Sequence, residues 1–97
     1  VNSNTVAVRR NSSLTREEVR TLLESLVQAL VPHPGSIRVN YTQAERTTIY
    51  HIDCPKECIG HLIGAKGRTV SSLRTLLTAI TAGHGFRSII EIPFYEI

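Results

Sequence analysis

The stretch Leu62-Ile63-Gly64-Ala65-Lys66-Gly67-Arg68-Thr69-Val70 decides how the rest of this chain reads. A G-x-x-G alone decides nothing: with glycine near 7% of residues, it arises by chance roughly once in every two chains of this length. Its setting carries the weight. Leu62 and Ile63 end one helical pattern, and Val70 and Leu73 begin another, so the glycines form a tight helix–helix turn. Gly64 can take the positive φ that ends a helix. Gly67, lacking a Cβ, lets a backbone come close. The amides opening the next helix point outward with the positive end of its dipole, ready for a phosphate. Lys66 adds a charge at the tip and Arg68 can add a second. The competing reading is a helix hairpin joined by glycines for steric reasons alone.

Around this turn the charge is one-sided. No acidic residue occurs from Cys58 to Ile90, where Lys66, Arg68, Arg74 and Arg87 all fall, while residues 1–57 carry seven cations against six anions. A basic, acid-free segment favours an anionic partner such as a phosphate backbone. A Walker-type loop fits poorly, because it follows a strand and needs a longer G-x-x-x-x-G-K-[ST]. A dinucleotide fingerprint fails for the same reason.

Upstream, Thr15-Arg16-Glu17-Glu18 is a capping box, and Leu14 with Val19 forms a hydrophobic staple. Val19, Leu22, Leu23, Leu26, Val27 and Leu30 then recur with a helical period, until Pro32, Pro34 and Gly35 stop it. Residues 37–43 alternate, with Ile37, Val39 and Tyr41 on one face. Residues 43–46 make a turn, and residues 47–53 form a second strand with Tyr50 and Ile52 on one face and Ile49 on the other. The two strands form an antiparallel hairpin. Pro55 opens a short helix that reaches Ile63. After the glycine turn, residues 68–82 are helical, with Val70, Leu73, Leu77 and Ile80 on one stripe. Gly83-His84-Gly85 breaks the pattern, and residues 86–94 form a last strand, which Pro93 ends or confines to an edge. The order α-β-β-α-α-β describes an α+β domain: three helices on one face of a three-stranded mixed sheet. Its third strand runs parallel to the second because a two-helix crossover joins them.

The 97 residues allow one domain, expected over residues 14–97 behind a loose polar arm at residues 1–13. Composition is that of an ordinary globular protein, 41% hydrophobic and 20% charged, with a net charge of +3. Apolar runs are far short of the roughly 20 residues that span a membrane, so the chain reads as soluble and cytoplasmic. With Val at position 1 and no Met, it also reads as processed or trimmed. His51-x2-Cys54-x3-Cys58-x2-His61 offers zinc-type ligands, but His51 and Cys54 sit on a strand end where convergence is not assured. These are read as core cysteines beside surface histidines. No metal and no cofactor are expected. Asp53 is the only Asp, the four histidines are scattered, and no paired carboxylates or nucleophile–base set stands out, so no catalysis is expected.

The same residues resemble a known family. Residues 62–70 resemble the I-G-x-x-G-x-x-I signature of KH domains, whose loop clamps four nucleotides. The element order is that of the bacterial, type II KH fold. The closer resemblance is to the small single-KH proteins of the KhpA family. Leu30-Val31-Pro32-His33-Pro34 followed by Ile37-Arg38-Val39-Asn40 is similar to that family's first-helix exit and first strand, and Leu73-Arg74-Thr75-Leu76-Leu77 to its second KH helix. The resemblance runs from about Glu18 to Ile92 and implies single-stranded RNA binding, with bases in an apolar groove between the short helix, the long helix and the third strand. Ile59, Gly60, Leu62 and Ile63 would line one wall and Val70 the other. One of Ile89 and Ile90 would face the groove. Gly64, Ala65, Lys66, Gly67 and Arg68 would hold the backbone, flanked by Arg74 and Arg87. It also implies self-association or pairing with a larger KH-domain protein. The alternative reading is a non-catalytic module that uses this fold to dimerise or dock on a protein.

Overall fold

The computed structural model describes residues 13–93; the expected arm, apart from Ser13, and Phe94 lie outside them. Helix α1 (Arg16–Leu30) is followed by a 3-10 turn (Pro34–Ser36), strands β1 (Arg38–Ala44) and β2 (Thr47–Asp53), helix α2 (Lys56–Ile63), a second 3-10 turn (Ala65–Gly67), helix α3 (Arg68–Ala82) and strand β3 (Arg87–Glu91). The capping box forms at α1: the Thr15 hydroxyl accepts the Glu18 amide at 3.0 Å, and Glu18 accepts the Thr15 amide at 2.8 Å. Leu14 packs against the core that contains Val19.

The sheet order is β1-β2-β3, antiparallel between β1 and β2 and parallel between β2 and β3, as the crossover requires. Its buried face carries Val39, Tyr50, Ile52 and Ile90, and these join Leu23, Val27, Leu62, Val70 and Leu77 from the helices in one core. Three details differ from the expectations. The hairpin turn is only Glu45-Arg46, because Gln43 and Ala44 still pair with Thr48 and Thr47. β3 is shorter than residues 86–94: its pairing runs from Arg87 to Glu91, and Pro93, which has no amide to donate, lies just beyond. In α3 the fourth buried position is Thr81, not Ile80. Thr81 can occupy the core because its hydroxyl donates to the Leu77 carbonyl (3.1 Å) and meets Ser88 Oγ at 2.9 Å. Among the described residues, no helix is long and apolar enough to cross a membrane.

Arg16 ties the start of α1 to the sheet. Its Nε donates to Thr48 Oγ1 at 2.8 Å, its guanidinium lies 4.7 Å from the Phe86 ring centroid, and its carbonyl accepts the Tyr50 hydroxyl at 3.0 Å. Tyr50 is fully buried, and desolvation pushes its phenol up to about 12.

Candidate functional site

The turn between α2 and α3 is built from backbone conformations that side chains resist. Gly64 has φ 75° and ψ 173°, a region that only glycine enters freely. A Cβ there would lie 2.7 Å from Thr69 Cβ, so the space is closed as well. Gly67 is left-handed at φ 73°, and so is Lys66 at φ 57°. Lys66 is the single non-glycine residue with positive φ among the described residues. The Gly64 amide donates to the Gly60 carbonyl (2.9 Å) and the Gly67 amide to the Gly64 carbonyl (3.1 Å). These bonds fold the turn tightly and leave Ala65 and Lys66 exposed at its tip. No side chain caps the start of α3, and its first turn holds no acidic residue. The first amides of that helix keep their positive end without a carboxylate against it.

A groove runs beside α3 along the free edge of β3, from Arg74 toward the C-terminal end of the helix. At the end near the turn, a cleft of about 440 Å³ is lined by Arg74, His51 and residues 89–93. Arg74 spans it, with Nη2 donating to the Ile90 carbonyl at 3.5 Å. Ile90 turns to the core, whereas Ile89 lies on the open sheet face and is exposed.

The expected site residues divide by position. Ala65, Lys66, Gly60 and Arg68 are exposed, and Ile63, Gly64 and Gly67 are half-buried. A Cβ on Gly60 would meet nothing within 4 Å, so the helix surface there is open. Leu62 and Val70 are fully buried, and Ile59 nearly so; they support the wall from inside instead of offering it surface. Arg68 lines a different cleft, with Leu26, Ala29 and Leu30, on the α1 side of α3. Arg74 lies on the β3 side, so the two arginines flank α3 rather than converge. Arg87 stands at the far end of the groove beside Arg46. Sequence reasoning did not pick out Arg46, His51 or Glu91 for this groove, because only the β2–β3 register brings them alongside.

Cys54 and Cys58 are buried in the core, and burial raises the Cys54 thiol above its ordinary pKa, with the neighbouring Cys58 adding to it. His51 turns to the open sheet face, where Nδ1 lies 2.9 Å from Glu91 and Nε2 3.1 Å from Thr42 Oγ1. His61 is exposed on α2. The four possible zinc ligands are thus divided between core and surface.

Comparison with known proteins agrees with this architecture. The profile of the family described as KhpA/KhpB, KH domain matches residues 20–92. The "RNA-binding protein KhpA" of Chlamydia pneumoniae is 32% identical over 74 residues, covering 76% of this chain and 95% of that protein. Its namesake from Thermotoga maritima is 36% identical over 62 residues, 64% of this chain and 83% of that protein. The one from Leifsonia xyli is 35% identical over 65 residues, 67% and 86% of the two chains. The matched span takes in both strands of the hairpin, the glycine turn and the strand that edges the groove; with that turn and that sheet order, the chain belongs to the KhpA/KhpB family of KH-domain proteins.

Proposed function

We propose that this chain binds single-stranded RNA without catalysis and serves in the cytoplasm as a small RNA chaperone or post-transcriptional regulator. The observation that carries the reading is the turn Gly64-Ala65-Lys66-Gly67. An exposed lysine is held left-handed at the positive end of α3, which no side chain caps, and this suits a phosphate backbone. The relatives, which are RNA-binding proteins by name, support the same ligand class. In this reading, Lys66 and the first amides of α3 hold phosphates. Bases lie over the open surface at Gly60 and Ile63 and in the groove beside Arg74 and the edge of β3. The glycine-loop motif carries no aromatic residue, so affinity rests on phosphate contacts and desolvation more than on ring stacking. Replacing Ala65 and Lys66 together by Asp tests the clamp. Both side chains are exposed, so the fold should hold while binding to a short RNA is lost. Wild-type affinity in a folded double variant would refute the clamp.

A second surface supports the pairing reading. Leu26, Ala29, Leu30, Leu73 and Leu76 line an apolar cleft of about 400 Å³ between α1 and α3, with Leu30 and Leu76 exposed. A second copy of the chain or a larger KH-domain partner would cover it, on the side of α3 away from Arg74. Sedimentation velocity of wild type against Leu76→Glu reads self-association: a dimer that the substitution dissociates supports it, and a dimer that persists unchanged removes this face from the interface.

A further inference from the structure

The groove does not stop where the glycine turn's reach ends. The cleft at Arg74 and Ile90 adjoins a smaller one lined by Arg74, Leu77, Thr78, Ser88, Ile89 and Ile90. That one adjoins a third, of about 400 Å³, which shares Thr78 and Ser88 with it and ends at Arg46 and Arg87. The three follow α3, a helix about 21 Å long from Arg68 to Ala82 at its usual rise. We infer that Arg46 and Arg87 form a second phosphate contact at the far end of this groove, so that a bound RNA strand is held at both ends of α3. The inference rests on the RNA-binding reading above.

Three observations carry it. The Arg87 amide donates to the Arg46 carbonyl at 3.0 Å, which fixes the two residues side by side where the hairpin turn meets the start of β3. Both side chains are exposed, and among the described residues neither guanidinium has a hydrogen bond or an ion pair, unlike that of Arg20, which is tied to Glu17 and Glu24. No carboxylate lines this cleft, whose other polar groups are hydroxyls. The negative end of α3 lies near, but its last carbonyls are occupied: Thr81 accepts the amides of His84 and Phe86, and Ala82 that of Gly85. Two exposed guanidiniums on neighbouring backbones therefore give this cleft a positive lining, and they match a phosphodiester better than an apolar or cationic ligand.

The test measures affinity for a ten-nucleotide single-stranded RNA across a salt series, for the full chain and for Arg46→Ala/Arg87→Ala. The backbone bond between the two residues survives both changes, and thermal melting verifies the fold. The double variant is expected to bind about three- to tenfold more weakly, as loss of two exposed ionic contacts implies. Its slope of log K against log[salt] should be shallower by about 0.7 to 1.4, one to two phosphates for a single strand. Arg38→Ala, which removes an exposed cation from the far strand, should change affinity less than twofold. Unchanged affinity and slope in the double variant overturn the inference, and so does an equal loss in Arg38→Ala, which would make the effect one of net charge. An oligoglutamate of the same length that binds through Arg46 and Arg87, while the RNA ignores them, also overturns it, in favour of an acidic peptide. The underlying reading fails separately, if the ten-nucleotide RNA does not bind wild type or binds the folded Ala65→Asp/Lys66→Asp variant undiminished.

Discussion

Lys66 is held in a conformation that an L-residue adopts at a cost of about 1–2 kcal/mol. Asn or Gly would sit there more easily, yet the position holds a long cation exposed between two glycines. Backbone strain at an exposed charged tip is what a site would show if placement of that charge mattered more than stability. Lys66→Gly separates the two. It should raise stability by up to about 1 kcal/mol in chemical denaturation, while lowering RNA affinity roughly threefold through the lost ionic contact. Undiminished RNA affinity would remove Lys66 from the interface. Gly64 was legible as a positive-φ residue from its place after Ile63. The left-handed Lys66 was not, because no sequence pattern distinguishes it from Ala65.

At the level of elements, most of the architecture was readable, since each helix and strand announces itself by periodicity and ends in strong punctuation. The capping box at Thr15, the stop at Pro32 and Pro34, and the alternation through Tyr50 and Ile52 all appear where the pattern puts them. The apolar stripe of α1 is wider than its buried face: Val19, Leu23 and Val27 enter the core, while Leu22 and Leu30 remain exposed. The sequence alone could not divide that stripe, because both rows have helical spacing; the packing of α1 on the sheet and on α2 decides which row is covered. Gly60 poses a question within α2. A helix-interior glycine costs about 1 kcal/mol relative to Ala, and no neighbour within 4 Å demands its small size. Gly60→Ala should therefore stabilise the fold by about 0.5–1 kcal/mol, and it should weaken RNA binding if a nucleotide packs on that open surface. Thermal melting and an RNA titration on one sample check both; stabilisation with unchanged affinity would take Gly60 out of the groove.

For the molecule as a whole, the groove is a product of the β2–β3 register, which is why His51, Glu91 and Arg46 could not be found from spacing along the chain. The same assembly buries Tyr50 and gives stability an alkaline limit. Below pH 10 the phenol is neutral both folded and unfolded. From pH 10 toward 12 only the unfolded state ionises, because desolvation holds the folded phenol up at about 12. Stability should then fall as pH rises, by up to about 1.4 kcal/mol per pH unit from this group. Tyr50→Phe should lack that component, and it should be about 0.5–1.5 kcal/mol less stable at pH 7 for want of the bond to the Arg16 carbonyl; identical alkaline slopes in the two proteins would count against burial of the phenol as the cause. The central claim, that the glycine turn and its flanking helices hold RNA, is tested most directly by following the backbone amides by NMR as a short single-stranded RNA is added at two or more salt concentrations. The expected result is a footprint on residues 59–74 and along β3, with affinity falling as salt rises at a slope of roughly −1.5 to −2, two to three phosphates for a single strand. A footprint confined to Leu26, Leu30 and Leu76, or a slope of zero, would contradict it.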